Sequence, residues 1–571
     1  MSAEDRQGAS PDEPRPGTSA APAPPAAAGD APAPPAAASD AAAPPAATTP
    51  AAAVTPAAAS AAATSTAATP RGGVAVAAPP QAAATAAASP APPRPLFGDR
   101  WPGPKGPIPA DLLGCVVAFG VVFATAVPEG PTGVGWLFTA SVATAMTIMV
   151  AWGRRSRQPL TPADVGWTLL AVALTAVGTV RAADWLAALC LMAAAAAAAL
   201  AVARRSFRSL TMSLLAPAIA AARALPWVAR GMRTGPRRLV RAGVAVLSAG
   251  LVLLVFVPLL ASADAAFAQV VDAVTPEIAV DSVVRWVFLF AFGTAAAAGG
   301  FFLLVAPPPE PYGPDPRPTR LRLLDWAVPT GVLVAVLALF VGVQFVVLFG
   351  SDDYVLRTTG LTYAEYARSG FWQLLAVTAL ALGVLALGSR WAPARTPVER
   401  VAKRGLLAAL ALLTLVVVAS AINRMWLYQQ AYGFTVLRLL VLTCELWLGA
   451  GFLLALTAVL RLRPGGLSRP MVAVGMVALL GLAVLDAERF IAAHNVERWS
   501  ETGTLDTSYL GTLSADAVPA LVDLPPAVRD CILVDIGDGL ATPDDWRATN
   551  VSREAARAEL ARLRPTCAVR R

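Results

Sequence analysis

The stretch GLLAALALLTLVVVASAI, residues 405–422, runs for eighteen residues without a charged side chain. A helix crosses the hydrocarbon core of a membrane in about 20 apolar residues, so this stretch predicts a transmembrane helix. None of the apolar runs alternates with polar residues as barrel strands do, which leaves helices. Ten further runs have a similar character, at 111–127, 132–152, 164–181, 183–203, 242–262, 286–306, 325–350, 370–389, 437–460 and 471–487. The sequence therefore predicts an all-α, polytopic membrane bundle of about 11 transmembrane helices over residues 110–487.

The composition of the whole chain agrees with a membrane protein. Its 571 residues are 56% hydrophobic and only 14% charged, whereas soluble domains carry about a quarter charged residues. A single histidine, His494, excludes metal or haem sites built from several histidines. No metal-ligand spacing or cofactor motif is found, so we predict neither a metal nor a cofactor. The net charge of +8 is not gathered into a basic, aromatic-rich patch, so no nucleic-acid partner is predicted.

Residues 1–109 have a different composition, because residues 19–92 consist almost entirely of Ala and Pro with some Thr and Ser. Such a segment cannot bury enough apolar area to offset the loss of chain entropy on folding. We predict a disordered tail, either a plain low-complexity extension or a spacer that docks through its prolines.

The basic residues between the apolar runs predict the orientation of the bundle. Twenty-three Lys and Arg residues fall in alternate loops, at 153–163, 204–241, 307–324, 390–404 and 461–470. The remaining loops carry only Arg181, Arg285, Arg357, Arg368 and Arg424. By the positive-inside rule the N-terminus is cytoplasmic, and after eleven crossings the C-terminus is external. We interpret the arginine-rich segment 204–241 as helices on the cytoplasmic membrane surface.

Residues 488–571 are more polar, with apolar side chains at helical spacing in Tyr509–Leu524 and Ala555–Leu563. This pattern predicts a small external α-helical tail. Cys531 and Cys567 both lie in it, and in an oxidising compartment they would form a disulfide; the alternative is two free thiols.

Polar side chains at membrane depth are functional candidates because they are costly to bury in lipid. The apolar runs contain Glu445 and, in another run, Gln344. We expect Asn423 or Arg424 to be the partner of Glu445. A structural role in bonding helices together competes with a role as a proton or substrate relay.

Four runs stand out in the loops and beyond the last span: LLASADAAFAQVV, TYAEYARSGFWQLL, NRMWLYQQAYGFTVLR and AHNVERWSETGTLDTSYLGTLSADAVPAL. Through them, residues 110–530 resemble a bacterial family of polytopic inner-membrane proteins that is classified only as a domain of unknown function. The resemblance implies a helical C-terminal piece and brings no catalytic residues. It directs attention to a set of outer-face candidates, namely Asp264, Glu365, Arg368, Arg424, Tyr432, Arg438, Asn495 and Arg498.

Three functions fit these features. The first is a non-enzymatic envelope protein that senses or scaffolds, with the lipid bilayer and other envelope proteins as partners. The second is a transporter of an unidentified solute, for which Glu445 would be the central residue. The third is a transferase acting on a lipid-linked substrate, with Asp264 or Glu365 as the base. No catalytic residue is predicted for the first function, which we favour.

Overall fold

The computed structural model describes residues 101–153, 160–203, 206–207, 209–234, 237–274, 280–308, 322–349, 371–461 and 467–567. Within these ranges every regular element is a helix, which confirms the all-α prediction. The Ala/Pro-rich tail, up to residue 100, lies outside the described residues. The described chain begins at Trp101, before the predicted boundary at residue 110.

The helices are numbered here in chain order. The long helices that form the bundle are α1 (Ala110–Ala126), α2 (Val134–Trp152), α3 (Pro162–Val180), α4 (Asp184–Ala203), α5 (Leu210–Thr234), α6 (Arg237–Ala263), α8 (Val280–Val305), α9 (Leu323–Phe349), α10 (Phe371–Trp391), α11 (Pro397–Tyr432), α12 (Val436–Leu460) and α13 (Ser468–Leu485). The shorter ones are α7 (Ala265–Val274), α14 (Ala487–Thr502), α15 (Thr507–Gly511), α16 (Val518–Leu521), α17 (Pro526–Asp538) and α18 (Val551–Leu563), with a 3-10 turn at Ala515–Ala517.

Ten helices of the described chain are long and apolar enough to cross a membrane. Nine of them coincide with nine of the eleven predicted spans. The other two predicted spans correspond to shorter apolar helices, Ala110–Ala126 and Ser248–Ala263. The tenth candidate is Leu210–Arg233, which belongs to the arginine-rich segment interpreted above as lying on the membrane surface.

Helix α5 is continuous through its two internal prolines, Pro217 and Pro226. Its contacts place it against α8, near the C-terminal end of that helix. A Cβ on Gly299 of α8 would touch main-chain atoms of both Pro217 and Ala221, while Trp227 packs against Phe302. A surface location for α5 stays a prediction.

The residues before α1 pack against the C-terminal end of α8. Trp101 is buried and donates from Nε1 to the carbonyl oxygen of Ala306 at 2.9 Å. Its ring packs edge-on against Phe207 and Phe302, and the guanidinium of Arg223 lies 5.0 Å from its centroid. The chain leading into α1 is therefore part of the packed structure.

Helix α13 ends at Leu485, and α14 begins two residues later. The single residue between them, Asp486, adopts the left-handed conformation at φ 59°. Residues 486–567 then form a small helical unit that we call the C-terminal cap. It shares one apolar core with α3, α4 and α13, which includes Leu186, Leu482, Ile491 and Leu521. We call the end of the bundle that it covers the cap end.

Candidate functional site

Tyr432, Arg438, Asn495 and Arg498, four of the predicted outer-face residues, come together where α11 turns into α12. The turn contains Gly433 at φ 83° and ψ 167°, a backbone conformation that residues other than glycine rarely adopt. A Cβ at this position would lie 2.5 Å from Oδ1 of Asn495. In the sequence these residues belong to two separate runs of the family resemblance. In the fold they are neighbours.

Asn495, on α14, binds the main chain of this turn. Its Nδ2 donates to the carbonyl oxygen of Phe434 at 2.9 Å, and its Oδ1 accepts the N–H of the same residue at 3.0 Å. Asn495 is only 6% exposed, so both bonds are shielded from water. One side chain thereby satisfies both polar groups of a buried residue and fixes the turn to the cap.

Arg438 completes the end of α11. Its Nη1 donates to the carbonyl oxygens of Tyr432 and Gly433, which a helix end leaves without partners. Nη2 reaches the Tyr428 hydroxyl at 3.3 Å, and the guanidinium lies 4.4 Å from the centroid of the Tyr428 ring. A positive charge at a helix C-terminus is also favoured by the helix dipole.

Arg498 lies against the same turn from the cap side. Its Nη1 donates to the Thr504 hydroxyl at 3.2 Å, and a Cβ on Gly433 would be 3.2 Å from Nη2. The position of Arg498 is therefore set by packing against the turn, and its hydrogen bond stays within the cap.

Asp516 likewise binds the main chain of an inter-helix loop, the one between α3 and α4. The buried carboxylate accepts the N–H groups of Ala182 and Ala183 at 2.9–3.0 Å. These amides precede α4, so the negative charge is placed at a helix N-terminus. Asp516 was not among the predicted site residues, although it lies in the resembling run after the last span.

Asn550 and Arg553 hold two loops at once. The fully buried Asn550 donates to the carbonyl oxygens of Gly178 and Arg181, both at 2.9 Å. Arg553 donates to the carbonyl oxygen of Thr132 at 2.9 Å. These bonds attach the cap to the α3–α4 loop and to the α1–α2 loop. An Asn directly before an Arg-rich helix suggests only a helix cap, and nothing local indicates the distant partners.

The start of α2 is also covered by the cap. The N–H groups of Val134 and Gly135 donate to the carbonyl oxygens of Thr549 and Arg547, at 3.1 Å and 2.9 Å. A Cβ on Gly133 would collide with the main chain of Ala548. The first turn of α2 thus obtains its hydrogen-bond acceptors from the far end of the chain.

Two carboxyl groups lie beside Trp185 and Arg181. They belong to Glu488 on α14 and to Asp486 just before that helix. Glu488 accepts Nε1–H of Trp185 at 2.8 Å and the N–H of Ser514. Burial raises the pKa of Glu488, and the bonds from Ser514 and Trp185 offset this only in part. Burial, and then the nearby charge of Asp516, raise the pKa of Asp486, while its ion pair with Arg181 acts in the opposite direction.

The other outer-face candidates lie elsewhere. Asp264 is exposed between α6 and α7, where its Oδ1 accepts the N–H groups of Ala266 and Phe267 and so caps α7. Glu365 and Arg368 lie outside the described residues. Arg424 donates from Nη2 to Oε1 of Gln344 at 3.0 Å, a bond between α11 and α9.

Glu445 is completely buried within α12. Among the described residues neither of its carboxyl oxygens has a hydrogen-bond partner. The expected partnership with Asn423 or Arg424 is therefore wrong, and the guanidinium of Arg424 donates to Gln344 instead. Gln429 on α11 is also completely buried, and its amide atoms likewise have no partner in the described part of the chain.

Cys531 and Cys567 are joined by a disulfide, with their Cα atoms 4.6 Å apart. The bond connects α17 to the segment that follows α18, so it closes the C-terminal half of the cap. No group of three or more His, Cys, Asp or Glu side chains that could hold a metal ion occurs in the described ranges.

Most of the cap-end polar contacts described above therefore end on main-chain atoms of loops. They fasten the α1–α2, α3–α4 and α11–α12 loops to one helical unit. This arrangement defines a multi-pass helical membrane protein whose bundle is closed at one end by its own C-terminal segment.

The chain belongs to the DUF4153 family, a domain of unknown function, whose profile matches residues 169–524. The matched range starts in α3 and ends after α16, so it includes the second half of the bundle and the first part of the cap. It confirms the family resemblance drawn from the sequence runs. No curated protein and no solved structure matches the chain.

Proposed function

We propose that the chain is a non-enzymatic envelope protein whose C-terminal cap forms a sensing or scaffolding surface on the outer side of the cell membrane. One observation carries this proposal: the cap is fastened to three inter-helix loops by bonds to their main chain. Asn495 binds the α11–α12 loop, Asp516 and Asn550 bind the α3–α4 loop, and Arg553 binds the α1–α2 loop. A surface held in this way keeps its shape when a partner binds, which lowers the entropic cost of binding.

Two features support an external location for the cap. Along the chain, the arginine-rich loops alternate with the loops that the cap binds, which favours a cytoplasmic location for the arginine-rich loops. The disulfide favours an oxidising compartment for the cap. In this topology the N-terminus is cytoplasmic and α5 lies on the cytoplasmic surface.

Cysteine labelling tests the topology. In a background without Cys115, Cys190 and Cys444, a Ser500→Cys variant should react with a membrane-impermeant maleimide on intact cells. A matched Arg395→Cys variant, which is equally exposed at the opposite end, should react only after the membrane is opened. Labelling of Arg395→Cys alone on intact cells would overturn the orientation.

Site-specific photocrosslinking tests the scaffolding role. A photoreactive residue at Glu497, on the exposed side of α14, should capture a defined envelope protein in living cells, whereas one at Arg395 should not. The capture should weaken in an Asn495→Ala background, because the turn that α14 holds is released. Capture of the same protein with equal yield from both positions would argue against a binding surface on the cap.

A transporter is the second candidate, and Glu445 is the observation that favours it. A completely buried carboxyl without a partner in the described chain can bind a proton or cation during transport. In proteoliposomes, proton flux should be lost in Glu445→Gln but kept in Gln344→Glu, which adds a carboxyl elsewhere in the bundle. Equal flux in wild type, Glu445→Gln and empty vesicles would exclude this candidate.

A further inference from the structure

An apolar chamber of about 710 Å³ is lined by α1, α2, α3, α4, α5 and α8. Helix α4 contributes a face of alanines, including Ala195 and Ala198. Phe123, Trp136 and Phe292 contribute aromatic rings from α1, α2 and α8. The volume falls within the range of about 300–1,000 Å³ that is usual for small-molecule sites.

Four of the five threonine hydroxyls in the wall are already used by the helices themselves. Thr139, Thr147, Thr168 and Thr175 all line the chamber, as does Thr144. Each of the first four donates to the carbonyl oxygen four residues earlier in its own helix, at 2.7–2.8 Å. The wall therefore presents a mainly hydrocarbon surface to an occupant, and a polar solute would lose its hydration and gain few bonds in return.

The length of the chamber matches one leaflet of a bilayer. Its wall on α4 extends from Leu191 to Val202, a rise of about 16 Å at 1.5 Å per residue. The hydrocarbon core of a membrane is about 30 Å thick, so one leaflet spans about half of that. A single extended lipid chain fits this dimension.

The structure also indicates where an occupant enters. Helix α5 is closely packed, with its main chain at Pro217 and Ala221 directly on Gly299 of α8. Helix α2, by contrast, has only three buried residues, Gly135, Thr139 and Val150. The loosely packed α2 is therefore the side through which a chain in the surrounding bilayer reaches the chamber.

We propose that this chamber binds an acyl chain of a membrane phospholipid. The bound chain fills space that the alanine-rich face of α4 leaves open at Ala195 and Ala198, which are exposed although they face the middle of the helix ring. It supplies packing between α2 and α4 that the protein lacks, and so holds the first half of the bundle together.

The test uses the full chain in nanodiscs of phosphatidylethanolamine and phosphatidylglycerol that contain a phospholipid with a photoreactive diazirine on one acyl chain. After illumination, labelled peptides are mapped by mass spectrometry. We expect labelling of wall residues on α2 and α4, in addition to lipid-facing residues such as Leu169. An Ala195→Phe/Ala198→Phe variant fills the chamber and should lose the wall labelling several-fold while the labelling of Leu169 stays constant.

Two controls keep the result interpretable. Ala188→Phe adds the same side chain to an exposed position of α4 that does not line the chamber, and it should label like wild type. Ala143→Leu narrows the chamber from α2 with a smaller change, in case the double variant does not fold; it should reduce wall labelling in part. Wall labelling that is equal in wild type and in a folded filling variant would overturn the proposal.

Competition identifies the source of the chain. Unlabelled phospholipid should displace the wall labelling, and a polyisoprenyl phosphate at the same concentration should not. The reverse result would assign the chamber to an isoprenoid chain and would overturn the assignment to phospholipid.

Discussion

The side-chain amide of Asn495 both donates to and accepts from the main chain of Phe434, sixty-one residues earlier in the chain. The pair is buried and closes the turn between α11 and α12. It joins the cap to the bundle through the polar groups of one residue.

Replacement of Asn495 by Ala should destabilise the protein by on the order of 2 kcal/mol, because it leaves two buried main-chain groups of Phe434 without partners. Thermal unfolding in detergent, followed by tryptophan fluorescence, measures the loss. Gln430→Ala removes an exposed amide from the same end of α11 and serves as the control. An Asn495→Ala melting curve that overlays the wild-type curve would contradict the role of this bond.

Gly433→Ala should destabilise the protein more than Gly503→Ala does, although both glycines have positive φ. At Gly503 nothing lies within 4 Å of an added Cβ, so only backbone strain of about 1 kcal/mol is expected. At Gly433 the Cβ also meets Oδ1 of Asn495 at 2.5 Å. The backbone of Gly433 at ψ 167° is also less accessible to Ala than the left-handed backbone of Gly503 at ψ 3°. The difference between the two melting temperatures therefore measures the collision and the additional backbone strain together, and equal losses would contradict the prediction.

Protonation of Glu488 should stabilise the attachment of the cap. Burial raises its folded-state pKa above the ordinary value of 4.5, so the folded protein binds a proton more readily than the unfolded chain. The stabilising effect is complete below pH 4.5 and is lost as the pH rises through the raised pKa. The side chain of the Glu488→Gln variant cannot titrate. It also has one hydrogen-bond acceptor oxygen instead of two.

The free energy of unfolding of wild type minus that of Glu488→Gln should therefore increase as the pH is lowered from 8 towards 5. Melting temperatures of both proteins across this range provide the measurement. A difference that is constant with pH would mean that Glu488 has the same pKa in the folded and unfolded states. Glu501→Gln, an exposed change on the same helix, controls for general charge effects.

Loss of the disulfide should loosen the C-terminal half of the cap. A Cys531→Ser/Cys567→Ser variant removes a link across 36 residues, and links of this kind typically contribute about 2–4 kcal/mol. Limited proteolysis should then cut near α18 faster than in wild type, and wild type under reductant should behave in the same way. Cys444→Ser, a change at a free cysteine, should leave the digestion unaltered.

The spans were predictable from sequence because each one is a local property. The run at 405–422 needs no partner to be apolar, and it lies within α11 as expected. The segment of α5 was harder to interpret, since nine arginines between 204 and 241 accompany a helix that is nonetheless apolar enough to be a candidate span. Composition alone does not distinguish a crossing helix from one that lies on the membrane surface.

The partners at the cap end could not be predicted, because they are far apart in the chain. Asn550 binds the carbonyl oxygen of Gly178, a separation of 372 residues, and no periodicity connects two such positions. The same reason explains the error at Glu445. Arg424 was proposed as its partner from proximity along a hairpin, whereas the fold directs that side chain towards Gln344 on α9.

The direct passage from α13 through Asp486 into α14 determines how far the cap can reach. There is no linker, so the cap cannot extend from the bundle as a tethered domain does. A compact unit of its size has a radius of gyration of about 12 Å, so its far side lies roughly 25–30 Å from the helix ends. Any molecule that contacts the cap must come to the cap end within this distance, and long-range capture is excluded.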